Sequence, residues 1–158
     1  MEEGAGDCWV EFSPAFSLRT KVVSAEMNGK PLAFKVQPNG EDQHLSLRFP
    51  VSAGPNSLVI RVKNDFGLTL DNELPPLGSA SRSLRVILSS WNPAHDQLTL
   101  EVSGLPGVDY ELGVWNPGEI SSLEGAALTG RGKIRIKMPM GKDGEYLHHS
   151  VVIHFRKT

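Results

Sequence analysis

Apolar and polar residues alternate one by one along most of this chain, and that period dictates what it can fold into. Leu45, Leu47 and Phe49 alternate with His44, Ser46 and Arg48, and Leu58, Ile60 and Val62 alternate with Arg61 and Lys63. The same pattern sets Leu98, Leu100 and Val102 against Thr99 and Glu101, and Ile134, Ile136 and Met138 against Lys133, Arg135 and Lys137. Successive side chains of a strand point to opposite faces, so each run has one buried and one wet face. That is the pattern of antiparallel sheet with one side solvated. No segment sustains a helical period. Ile120–Leu128 reads as a short helical turn or an irregular strand.

Turn residues punctuate these runs. Asn28-Gly29 follows one strand and suits a type I′ hairpin, which needs positive φ at both central residues. Pro38-Asn39-Gly40, Gly54-Pro55-Asn56, Gly104-Leu105-Pro106-Gly107 and Gly141-Lys142-Asp143-Gly144 recur at the spacing expected of a sandwich or barrel. The pattern predicts strands over 8–12, 18–27, 31–37, 43–50, 57–64, 83–90, 97–103, 108–115, 132–138 and 146–156. The fold class is therefore all-β and antiparallel: two small β-sandwich units in tandem, or one larger sandwich. The segment DNELPPLGSASRS, with consecutive prolines that deny ladder hydrogen bonds, is the best boundary. It divides the chain into a first unit at 8–70, a linker at 71–83 and a second unit at 84–158.

Charge and cysteine use exclude several function classes. With 16 basic and 18 acidic residues the chain has a net charge of −2, which argues against a phosphate-binding surface. Its basic rows are wet faces of strands without interleaved aromatics for base stacking, so no nucleic-acid partner is expected. No glycine loop opens a helix to cradle phosphate. The single cysteine, Cys8, allows no intrachain disulfide. No apolar run reaches the ~20 residues of a membrane span, and Met1–Asp7 lacks the apolar core of a secretory signal. Either the chain is cytoplasmic as written, or it is a piece of a longer exported protein, which entry directly into a strand at Cys8 and an end on Phe155-Arg156 fit, and is then extracellular or periplasmic.

Several motifs suggest chemistry that their setting denies. Asp65-Phe66-Gly67 matches the metal-binding triplet of protein kinases, but the rest of that set is missing, so a strand-end turn with Phe66 inward is expected. His148 and His154 share a strand face yet lie ~20 Å apart at ~3.3 Å per residue, too far to hold one zinc. His149 points the other way. No metal and no cofactor are expected. There is no Gly-x-Ser-x-Gly elbow, although a Ser-His-Asp site assembled only in space stays open as a hydrolase reading.

The tryptophans offer the sharpest candidate site. Trp-Asn-Pro occurs twice, at 91–93 and 115–117, each time ending a strand. Asn before Pro is expected to be extended, which gives two similar corners. An exposed indole suits the C–H face of a sugar ring, so Trp91, Asn92, Trp115, Asn116 and Glu119 form a candidate polysaccharide-binding groove. The competing expectation is that each indole caps the sandwich end over apolar core.

The segment Val22 to Asp65 carries MNGKPLAF, EDQHLSLRFP and most of GPNSLVIRVKNDFG. It resembles the β-sandwich portions of exported bacterial proteins, modules that flank the catalytic domain of glycoside hydrolases. It is also similar to the N-terminal sandwich of gluzincin-type zinc aminopeptidases. The second half, with Tyr110-Glu111-Leu112 and a closing strand to Phe155, resembles an immunoglobulin-like or fibronectin-like appendage. Neither His-Glu-x-x-His nor a glycosidase catalytic sequence is present, so no family functional residue transfers. The resemblance implies a non-catalytic accessory region, the C-terminal part of a larger exported bacterial enzyme. Its expected partner is that enzyme's catalytic domain, with polysaccharide the alternative.

Overall fold

The computed structural model describes residues 8–70, 76–79, 81–130 and 132–157. It is all-β and antiparallel, with four sheets that pair as two sandwich-like units. The chain divides into Met1–Asp65 and Phe66–Thr158. Among the described residues no helix is long and apolar enough to cross a membrane.

The first unit contains β1 (Cys8–Phe12), β2 (Ala15–Ser17), β3 (Lys21–Met27), β4 (Lys30–Pro31), β5 (Phe34–Asn39), β6 (Asp42–Val51) and β7 (Leu58–Lys63). β1 and β2 lie end to end along one side of β6 in one register, Phe12 opposite Leu47 and Ala15 opposite His44. Pro14, which has no N–H, separates them, while its carbonyl still accepts from the Leu45 N–H. β5 covers the other side of β6. The second sheet runs β4-β3-β7. Its hairpin turns at Asn28-Gly29 with φ of 51° and 76°, as the sequence predicts.

The strand expected at 31–37 is two strands. Lys30–Pro31 stays with β3, and the chain then crosses at Leu32-Ala33 to become β5 of the other sheet. Leu45, Leu47 and Phe49 are buried beside Ala25 and Met27, whereas Leu58 and Ile60 are half-buried because β7 is an edge. One corner is polar. The Gln43 side-chain amide donates to the carbonyls of Ser17 and Thr20, and the Thr20 hydroxyl donates to Asp65 Oδ1 at 3.1 Å. Asp65 thus has a structural job in the triplet that resembled a kinase motif.

The second unit contains β8 (Gly67–Thr69), β9 (Arg85–Trp91), β10 (Gln97–Gly104), β11 (Asp109–Trp115), β12 (Ile120–Glu124), β13 (Ala127–Thr129), β14 (Lys133–Lys137) and β15 (Leu147–Phe155). One sheet has the order β12-β15-β10-β9 and the other β13-β14-β11-β8. Leu98, Leu100, Val102, Ile134, Ile136 and Ile153 are all buried in its core, each at 5% exposure or less. Ile120–Leu128, ambiguous in sequence, holds β12 and part of β13, which lie in different sheets.

The boundary falls earlier than the sequence suggests. Residues 66–70 belong to the second unit, because Phe66 is in its core and β8 pairs with β11, Gly67 opposite Trp115. The expected linker at 71–83 therefore connects β8 to β9, two strands in different sheets of one unit. Its residues 71–75 and 80 lie outside the described residues, as do Met1–Asp7.

Candidate functional site

All five candidate residues fall at one end of the second unit. The end of β15 ties the two loops together: Phe155 N–H donates to the Asp96 carbonyl and Arg156 N–H to that of Glu119, both at 2.9 Å. Trp91 ends β9 in one sheet and Trp115 ends β11 in the other.

The two tryptophans have different environments. Trp91 is half-buried and stacks on Phe155 with ring centroids 5.2 Å apart and planes at 27°. Phe155 in turn meets Phe66 edge-on at 4.7 Å. His95 covers Trp91 from the side, its ring centroid 6.4 Å away. The indole of Trp91 is thus part of the core's lid. Trp115 is 63% exposed, with its Cβ lying over Gly67.

The two corners also differ, contrary to the expectation of similar ones. Asn92 keeps a negative φ and turns its amide onto its own loop. Its Oδ1 accepts from the N–H groups of Asp96 (3.0 Å) and Gln97 (3.1 Å), and its Nδ2 donates to Asp96 Oδ1 at 2.6 Å. This is the Asx use of asparagine in turns. Asn116 is instead left-handed, at φ 56° and ψ 58°, not extended as expected before Pro117. Asparagine tolerates that region better than most residues. The 3₁₀ turn Pro117–Glu119 follows, with Glu119 N–H donating to the Asn116 carbonyl. Of the predicted groove, Trp115 is mostly exposed, while Trp91 and Asn92 do structural work.

The histidines are spent similarly. His154 Nε2 lies 2.7 Å from Glu124 Oε1, and His149 Nε2 lies 2.6 Å from the Gly125 carbonyl. Among the described residues no group of three or more His, Cys, Asp or Glu is arranged to hold a metal ion.

One constellation arises only in space. Ser13 Oγ is 3.5 Å from His44 Nδ1, and Asp42 Oδ1 is 3.5 Å from His44 Nε2. A serine nucleophile needs a lone pair on the nitrogen facing it. The Asn39 amide nitrogen also lies 3.2 Å from His44 Nε2.

Sequence reasoning missed a surface patch. On β9, Val86, Ile87 and Leu88 are 43%, 55% and 57% exposed. The available signal was loss of alternation: three aliphatic residues in a row cannot all face one core.

No protein-family model matches the sequence, and no curated protein or solved structure matches it.

Proposed function

We propose that this chain is a non-catalytic accessory region of a larger exported bacterial enzyme, supporting or positioning its catalytic domain. The observation that carries the reading is how its polar side chains are spent. Asn92 with Asp96, His154 with Glu124, and Thr20 with Gln43 and Asp65 all tie loops and strands to one another. Such groups build a scaffold rather than converge on a reacting atom. The resemblance of Val22 to Asp65 to sandwich modules beside glycoside hydrolases supports the same reading.

The test begins with the coding sequence upstream of Met1, where an in-frame catalytic domain is expected. Removing this region from the parent enzyme should lower the parent's thermal midpoint or its turnover of polymeric substrate. A parent without a catalytic domain, or one indifferent to the removal, overturns the proposal.

Carbohydrate binding is the second reading, and the exposure of Trp115 favours it. One ring is a smaller platform than two. Affinity electrophoresis in polysaccharide gels distinguishes the readings: retardation abolished by Trp115→Ala supports sugar binding, and equal mobility with and without polysaccharide leaves the accessory role.

A further inference from the structure

We propose that the outer face of the β9–β10 edge, centred on Leu88 and Glu101, docks an extended aliphatic segment carrying a lysine or arginine. The inference rests on the accessory reading and specifies the chemistry of the contact.

Glu101 lies between Leu100 and Val102, both buried in the core, so its side chain is on the outer face of the sheet. There it is half-buried, opposite Leu88 of β9 on one side and Ser150 of β15 on the other. Every other glutamate within a described strand has a basic partner. Glu11 meets Arg48, Glu26 meets Arg61, Glu111 meets Lys133 and Arg135, and Glu124 meets His154. Glu101 has none among the described residues. A carboxylate partly withdrawn from water without a counter-ion is unfavourable, and a cation brought by another segment relieves that cost.

The aliphatic neighbours make the same surface apolar. Leu88 stands directly opposite Glu101 and is more than half exposed, as is Ile87 beside it. Exposed apolar side chains around a charge that lacks a partner are a common form of interface centre. The irregularity between Glu101 and Val102 leaves Ile87 without a partner on β10. Such a bulge disrupts an edge and hinders the addition of another strand. The incoming segment therefore lies across the sheet face, held by its side chains, and does not extend the ladder.

The test is a ¹⁵N-amide titration of the full chain with two capped peptides, Val-Lys-Val-Lys-Val and Val-Glu-Val-Glu-Val. The lysine peptide should bind about tenfold more tightly, the scale of one charge-assisted contact, with shifts at Leu88, Glu101 and Ser150. Glu101→Gln should erase the preference, and Leu88→Ser should weaken both peptides. Equal binding of the two peptides to the unaltered chain, shifts confined to other surfaces, or no shifts at all would overturn the proposal. Because the titration uses this chain by itself, its failure leaves the removal experiment on the parent enzyme standing, and the reverse also holds.

Discussion

Replacing Trp91 and Trp115 in turn by alanine separates a core lid from a surface ring. A fully buried Phe or Trp cut to Ala costs about 3–5 kcal/mol. Trp91 is only half-buried, which lowers the figure, but its stack on Phe155 adds about 0.5–1.5 kcal/mol beyond area. Trp91→Ala should therefore cost about 2–3 kcal/mol. Trp115, 63% exposed, should cost within about 0.5 kcal/mol, like other surface substitutions. Urea unfolding followed by far-UV circular dichroism measures both. With m of about 1–3 kcal/mol per molar for a small unit, the Trp91 variant should lose about 1–3 M in midpoint for the second unit's transition. The Trp115 variant should overlay the parent curve. Equal losses, or a Trp91 loss below about 0.5 kcal/mol, would mean that the indole of Trp91 does not cap this core.

Two further perturbations probe the backbone and the surface charges. Gly125 has φ of 71°, and a Cβ there would meet the Ser150 carbonyl oxygen at 2.2 Å; at Gly40, φ 63°, a Cβ meets nothing within 4 Å. Left-handed strain costs about 1–2 kcal/mol and a clash with backbone adds about 1–3 kcal/mol, so Gly125→Ala should be clearly the more destabilising by thermal melting. Glu111 accepts hydrogen bonds from Arg135 and Lys133 across β11 and β14, and these hold its carboxyl below its ordinary range. A lowered folded-state pKa stabilises the fold above the unfolded value of about 4.3 and is lost as pH falls through the folded one. Glu111→Gln should thus be less stable at neutral pH and converge on the parent in acid, and a gap unchanged with pH would contradict the assignment.

Much of the fold was legible in the sequence because period-2 alternation is a local property. Leu45, Leu47 and Phe49 face inward because any other register would bury His44, Ser46 and Arg48. Asn28-Gly29 turns a hairpin because its own φ preferences require it. The candidate end was legible in part: two Trp-Asn-Pro corners do mark loops at one end of the second unit. Which indole faces water was not, since that depends on Phe155 and Phe66, which come from distant parts of the chain, as well as on His95 in the adjoining turn.

The amino-acid order by itself thus determined the class of structure: antiparallel strands, the inward face of each, and where most of them turn. Partnership between strands was decided only in three dimensions. Phe66 to Leu70 read as the tail of the first unit, yet β8 pairs with β11 because Phe66 finds its apolar neighbours in the second core. Residues 31–37 read as one strand, yet they are divided between two sheets. Alternation states which face of a strand is apolar but says nothing of which strand lies beside it. That choice depends on burying apolar area and pairing backbone groups across the whole unit, and the same choice left Leu88 more than half exposed and Glu101 without a basic partner among the described residues.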